Sequence, residues 1–376
     1  MREKMEKKTK IIAFYLPQFH EIIENNMWWG KGYTEWTSVK AAKPLFKGHK
    51  QPNVPYKSCY YNLLDKNIMI WQAKNSLKAG IDGFCFYHYW FKGRKILEKP
   101  IENYLKWKEI PQQFCFSWAN DSWIRSWSNV QGTIWNSKRE KKPCMNGSDV
   151  GILIKQDYGD ESVWKEHFEY LVDFFLDQRY IKIDNKPLFL IYKPDEVEHL
   201  EEMICFWNML ACEYGFNGMY VLVTNPLKHY HAPICGCVNY EPGKTIDYKP
   251  LKRRIYEFLH INDEKKLLCK YSYSKLWLKI LRRKPDKNMK TYLGAFIDYD
   301  DSPRRGYQSY IVRGATPFKF QIYLRLLLRK CKSSNQYGDY IFITAWNEWA
   351  EGAYLEPDDK NKYKYLKAIK KVTSTV

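Results

Sequence analysis

Tyr340-Ile341-Phe342-Ile343-Thr344-Ala345 runs directly into Trp346-Asn347-Glu348-Trp349-Ala350-Glu351-Gly352. The first half is a near-continuous apolar run of β-favouring residues, the pattern of a strand covered on both faces in a parallel sheet. The second half sets two carboxylates and two indoles just beyond it. Seven further runs of the first kind lie upstream: Lys10–Leu16, Ile81–Tyr87, Phe114–Trp118, Pro187–Tyr192, Met219–Thr224, Ile234–Tyr240 and Tyr292–Asp298. Amphipathic segments alternate with them. Glu161–Gln178 carries Trp164, Phe168, Leu171 and Phe175 on one stripe. Glu196–Glu213 carries Val197, Leu200, Ile204, Trp207 and Ala211, and Pro317–Lys332 carries Phe320, Leu324, Leu327 and Cys331. This three-and-four spacing predicts helices. Asp65–Lys78 and Leu97–Lys108 supply two more, and Gly80 and Gly215 stand where a helix should stop before its strand.

Eight strand–helix units in 376 residues predict an α/β protein, a single (β/α)8 TIM barrel spanning residues 1–376 with long insertions after its strands. Residues 1–9 read as a charged extension and 367–376 as a basic tail. The insertions are His20–Lys57, Ala119–Asp160 and Glu241–Lys290. All three follow strands, so they should crown the C-terminal face, where barrels build active sites. A doubly wound sheet is the alternative, but no glycine-rich phosphate loop follows any strand. Gly243-Lys244-Thr245 resembles the end of a phosphate loop, yet Val238 occupies the position of its first glycine.

Composition narrows the class. Hydrophobic residues make up 45% and charged residues 27%, a globular balance. No apolar run approaches the ~20 residues of a membrane span. The apolar stretch after Met1–Lys10 ends at Pro17, too short for a signal-peptide core, so the expected location is cytoplasmic. Lys and Arg outnumber Asp and Glu by 61 to 42, a formal charge of +19. The excess is spread, densest at Lys249–Arg254, Lys279–Lys290 and Lys360–Lys371, with no basic arm. A nucleic-acid partner is therefore not expected, whereas peripheral contact with an anionic membrane surface or a phosphate-bearing glycan carrier is. The ten cysteines form no Cys-x-x-Cys pair and read as free thiols of a reducing compartment. His229 and His231 have no acid or Cys spaced to complete a metal site, so no metal and no cofactor are expected.

Fifteen Trp and thirty Tyr stand beside nineteen Phe. Rings with an apolar face and a polar handle suit sugars, which offer C–H faces and hydroxyl rims. They cluster at strand ends. Trp28-Trp29-Gly30-Lys31-Gly32-Tyr33-Thr34-Glu35-Trp36 follows the first strand, Tyr87-His88-Tyr89-Trp90 ends the second, and Trp118-Ala119-Asn120-Asp121 with Arg125 ends the third. The strongest motif is the opening one. If the chain turns helically after the last strand, Glu348 and Glu351 share a face. Two carboxylates in an apolar cleft cannot ionise equally: one holds a proton and the other serves as base, the division that glycosidic cleavage needs. Asp298-Tyr299-Asp300-Asp301 ends the seventh strand. It leaves a second reading open, a metal-dependent nucleotide-sugar transferase using Asp298 and Asp300. A non-catalytic glycan-binding protein is a third.

Phe14-Tyr15-Leu16-Pro17-Gln18-Phe19-His20, Trp28–Trp36, Gly83–Trp90, Ile152-Leu153-Ile154-Lys155-Gln156, Lys186–Tyr192 and Trp346–Gly352 together resemble the WbsX family. That family is commonly labelled glycosyltransferase, is associated with bacterial O-antigen and capsule synthesis, and is related to the barrel of glycoside hydrolase family 99, the endo-α-mannosidases. The resemblance spans about Lys10 to Leu366. The hydrolase relatives carry Asn-Glu-Trp-x-Glu-Gly after the last strand. By that resemblance Glu348 is the base that takes a proton from the sugar 2-hydroxyl to form an anhydro-sugar. Glu351 is then the acid/base that protonates the leaving oxygen. Ala350 stands where those hydrolases often have His, and Asn120-Asp121-Ser122 where WbsX proteins typically have Asn-Glu-Asn. The expectation is a carbohydrate-active enzyme of surface-polysaccharide biosynthesis acting on an oligo- or polysaccharide, free or lipid-linked. Its expected sugar contacts are Glu35, Trp36, Tyr87, His88, Trp90, Trp118, Asn120, Asp121, Arg125, Tyr192, Tyr240, Asp298, Trp346 and Asn347.

Overall fold

The computed structural model describes residues 9–124, 152–231, 233–246 and 268–375, together with the single positions 255, 258, 259 and 265. Eight strands form its centre: β1 Lys10–Tyr15, β2 Gly83–Phe91, β3 Gln113–Trp118, β4 Lys186–Ile191, β5 Tyr220–Thr224, β6 Ile234–Val238, β7 Thr291–Phe296 and β8 Tyr337–Thr344. Each pairs in parallel with its neighbours in chain order. The ring closes where β1 meets β8, with Lys10 opposite Tyr340 and Ala13 opposite Ile343. This is the closed (β/α)8 barrel that the alternation of apolar runs predicts. The bore is filled by rings, Phe14 lying 5.8 Å from Phe342 and 5.0 Å from Tyr240. Lower down, the Tyr292 ring occupies the space a Cβ at Gly338 would need, which is why a glycine can stand in that strand.

Among the described residues seven helices cover the barrel: α1 Lys66–Ala79, α2 Lys99–Lys106, α3 Glu161–Leu176, α4 Leu200–Glu213, α5 Tyr273–Arg282, α6 Pro317–Lys332 and α7 Lys364–Thr373. Three of them start on a side-chain cap. The Asp65 carboxylate accepts the Asn67 N–H, Asp160 those of Ser162 and Val163, and Thr316 Oγ1 that of Lys319 just ahead of Pro317. Gly80 closes α1 in the left-handed region. The expected stripes of α3 and α6 are buried throughout.

Three expectations change. No helix joins β5 to β6 among the described residues. The Asp195 carboxylate instead accepts the N–H groups of Leu227 and Lys228, holding the short link as a loop. The fourth helix starts at Leu200, because Pro194–Glu196 forms a separate 3-10 turn. Residues 367–373 are not a tail: Ala368, Ile369 and Val372 are buried as the inner face of α7. Among the described residues no cysteines form a disulfide; five are buried, and Cys59, Cys205 and Cys212 are exposed. Among the described residues no helix is long and apolar enough to cross a membrane.

Candidate active site

A cleft of about 670 Å³ opens at the C-terminal mouth of the barrel. Its floor is the end of β8. There Asn347–Glu348 form a two-residue strand, Trp349–Glu351 a single 3-10 turn, and Gly352 a left-handed stop at φ 62°. A 3-10 turn brings residues three apart into line, so Glu348 and Glu351 face the same hollow. Behind the turn, Glu356 is buried and accepts hydrogen bonds from Trp349 Nε1 (2.7 Å), Tyr61 Oη (2.7 Å) and Gln72 Nε2 (2.7 Å), which fixes the indole between the two acids.

The two carboxylates have different surroundings. Glu348 is 4% exposed. Its Oε1 accepts a hydrogen bond from Tyr87 Oη at 2.7 Å, and the Tyr240 hydroxyl lies 2.7 Å from that of Tyr87. Burial first, and the adjacent Glu351 carboxyl second, push Glu348 well above the usual carboxylate range. Glu351 instead meets a cation. Arg304 Nη1 donates to Glu351 Oε1 at 2.7 Å, while Nη2 donates to both oxygens of the buried Glu35 at 2.9 and 3.0 Å. Glu35 Oε1 also accepts the Ala350 N–H at 3.0 Å. Burial disfavours the Arg304 charge, but Glu35, Glu351 and Glu348 outweigh it and hold the guanidinium firmly protonated. One arginine thus clamps the insertion after β1 to the turn that carries Glu351. The sequence reading had not placed Arg304 at the site, although Arg304-Arg305 follow β7 in plain view.

Tyrosines wall the hollow. Tyr87, Tyr192 and Tyr240 line it, Asp121 enters from the β3 side, and Tyr89 and Trp123 join them. Burial lifts the Asp121 carboxyl to about 6 against the pull of Lys193. From the tryptophan-rich insertion, Trp29 and Tyr33 reach the cleft.

Seven other expected contacts lie elsewhere. His88 and Trp90 alternate with Tyr87 and Tyr89 along β2, and a strand sends successive side chains to opposite faces. They therefore point outward: His88 Nε2 sits 2.8 Å from His167 Nε2 of α3, and Trp90 stacks on the His167 ring at 4.7 Å. Trp118 packs on the same ring and donates to the Trp90 carbonyl. Burial drops His88 to about 3, so the pair is neutral. Trp36 lies behind the turn, donating to the Tyr61 carbonyl and packing 5.4 Å from Trp349. Trp346 is fully buried against Phe84. Asn347 bonds both the N–H and the carbonyl of Leu16, and Asn120 does the same to Lys193, so each stitches neighbouring strand ends together. An eighth, Asp298, lies in a separate hollow beyond Gly352. Arg125 is outside the described residues. Asp300 is committed to His49 Nε2 (2.7 Å), Gln51 Nε2 (2.8 Å) and the Ser302 N–H, which leaves Asp298 without a second free acid. No cluster of three or more metal-ligating side chains occurs among the described residues.

A parallel barrel with a tyrosine-walled, two-carboxylate cleft at its C-terminal mouth belongs to the class of barrels that carry their chemistry on the loops after their strands. The chain is a member of the family described as Glycosyltransferase WbsX, which matches residues 11–369. It is 29% identical over 368 residues to an uncharacterized protein, WxcX, of Xanthomonas campestris pv. campestris. That alignment covers 96% of this chain and 49% of the relative, so the chain spans about half the length of the curated relatives it matches. Among solved structures it is similar to a GH99 endo-alpha-mannosidase from Bacteroides thetaiotaomicron, with TM-score 0.54, 15% identity, and coverage of 97% and 96% of the two chains. It is also similar to a glycoside hydrolase-like protein, with TM-score 0.57, 13% identity, and coverage of 98% and 95%. The family thus covers nearly the whole chain, and the solved structures share its fold.

Proposed function

We propose that this protein makes or cleaves glycosidic bonds in the assembly of a bacterial surface polysaccharide, with Glu348 and Glu351 as its catalytic pair. The observation that carries this reading is the unequal setting of two neighbouring carboxyls in a sugar-sized, tyrosine-walled cleft. The raised Glu348 carboxyl holds a proton, while Arg304 faces Glu351. Tyr87, backed by Tyr240, is placed to stabilise the Glu348 anion, so passing the proton to Glu351 arms both groups at once. Glu348 then draws a proton from a sugar hydroxyl, and Glu351 delivers one to the leaving oxygen. Two carboxyls three residues apart on one tight turn suit retention of configuration better than the wider spacing of inversion. A sugar hydroxyl can replace water as acceptor, so one site serves hydrolysis or transfer.

Purified enzyme incubated with the free or lipid-linked glycan, in water and with acceptor sugars, should give products that mass spectrometry resolves. Folded Glu348→Gln and Glu351→Gln variants should lose on the order of 10²–10⁴-fold in turnover. Wild-type turnover in both would sink the assignment. The net charge of +19 supports binding to an anionic membrane that carries lipid-linked glycan. Co-sedimentation with phosphatidylglycerol vesicles but not phosphatidylcholine vesicles is the expected outcome.

A further inference from the structure

Beyond the Glu351–Gly352 segment, on the side away from the cleft, lies a second hollow of about 280 Å³. Its acids are largely spent. Asp300 is held by His49 and Gln51, and Asp358 accepts from Tyr354 Oη at 3.0 Å and from Asn361. Asp298 is the exception, because among the described residues its carboxyl has a single hydrogen-bond partner, the N–H of Tyr299 at 2.9 Å. Burial lifts that carboxyl to about 7, with Asp300 and Asp358 adding to the rise and Lys360 opposing it. Near neutral pH about half of it is a hydroxyl donor. The cations on the same wall, Lys50, Arg313 and Lys360, have no ion-pair partner among the described residues. Arg313 lies over the Phe46 ring, 5.5 Å from its centroid. The hydrogen-bonding capacity left unspent in this hollow is therefore mostly donor and mostly cationic, which calls for an anionic oxygen ligand.

We propose that this hollow is a second glycan site, which takes a saccharide unit bearing a carboxylate or phosphate on Lys50, Arg313, Lys360 and Asp298. It does not depend on the catalytic assignment. Its volume suits one such unit rather than a nucleotide sugar. Its wall is also the back of the catalytic turn: the Asp300 N–H donates to the Glu351 carbonyl at 2.6 Å, and a Cβ at Gly352 would lie 3.1 Å from the Asp300 Cβ. A ligand here anchors an acidic stretch of glycan alongside the cleft.

Calorimetric titration of the whole chain with sodium phosphate, sodium glucuronate and glucose at constant ionic strength tests this. One or both anions should bind at millimolar concentration and glucose should not. The Arg313→Ala/Lys360→Ala double variant, altered only at exposed positions, should bind at least ~10-fold more weakly. Glu348→Gln should leave anion binding unchanged. Phosphate alone binding identifies a phosphate-bearing unit, and glucuronate alone an acidic sugar. Neither binding, glucose binding equally well, or an unaffected double variant overturns the site. Glucuronate keeps its charge between pH 6 and 8, so its affinity should fall as Asp298 ionises across that range. Asp298→Asn should flatten the fall, since Lys360, Asp300, Asp358, Tyr354 and Tyr365 are the other groups facing that carboxyl and Asp300 already holds His49. A slope unchanged in Asp298→Asn removes Asp298 from the site.

Discussion

The two faces of β2 are built from the same kinds of residue and are put to opposite uses. Tyr87 and Tyr89 look into the cleft, where the Tyr87 hydroxyl meets a carboxyl that needs a partner. His88 and Trp90, one position along, look out at α3 and join His167 and Tyr170 in a neutral, stacked layer. Aromatic content and position at a strand end do not separate the two sets. Parity along the strand does.

That contrast can be broken by experiments whose effect on turnover should descend while the effect on stability rises. Arg304→Gln releases Glu351 and strands the buried Glu35. Turnover should fall by roughly 10²-fold or more, as expected when a preorganised charge is lost, with Arg304→Lys recovering part of it. If both variants match wild type in steady-state assays, the clamp is ornamental. Tyr87→Phe removes one hydrogen bond to Glu348, a loss of about 1.5–3 kcal/mol in transition-state stabilisation, or about 10–150-fold in kcat. Its melting temperature should barely move. Trp90→Ala should do the reverse, costing about 3–5 kcal/mol of stability while activity per folded molecule stays near wild type. A Trp90→Ala enzyme that stays stable but loses activity would show that the outward face serves the chemistry after all.

The smallest effect sharpens the assignment of the proton. Glu348 binds its proton more tightly folded than unfolded. Its contribution to stability is thus fully present below the unfolded value near 4.5 and is lost as pH rises toward the higher folded value. Asp298, Asp301 and Glu356, each raised to about 7 by burial, act in the same direction between roughly pH 4 and 7. Glu348→Gln should therefore melt higher than wild type at pH 8, with the gap narrowing toward pH 5. A gap that widens on acidification would place the proton elsewhere.

The barrel could be read from the sequence because each of its strands is a short apolar run and each helix stripe is local. The missing helix between β5 and β6 could not, since the Asp195 carboxylate that holds that link lies some thirty residues earlier. The same limit applies at the site. Glu348 and Glu351 stand three apart and announce themselves. Arg304 matters through Glu35 and Glu351, groups hundreds of residues apart that the barrel brings together. Trp36, Trp346 and Asn347 looked like sugar contacts because they sit in the right motifs, yet those motifs also contain the packing that holds the turn. Asp298 was noticed as an acid at a strand end, but nothing local reveals that it faces a different hollow from the glutamates.

Asn347 gives and receives a hydrogen bond at Leu16, extending the β1–β8 seam past its last backbone rung. The amide makes the working end of the last strand inseparable from the first. During synthesis β1 must wait, unpaired on that edge, until β8 has left the ribosome, so the seam is the last rung of the barrel to form. Cutting the chain before β8 would leave β1 with a bare edge and no catalytic turn, and the protein would lose its ring and its chemistry in the same event.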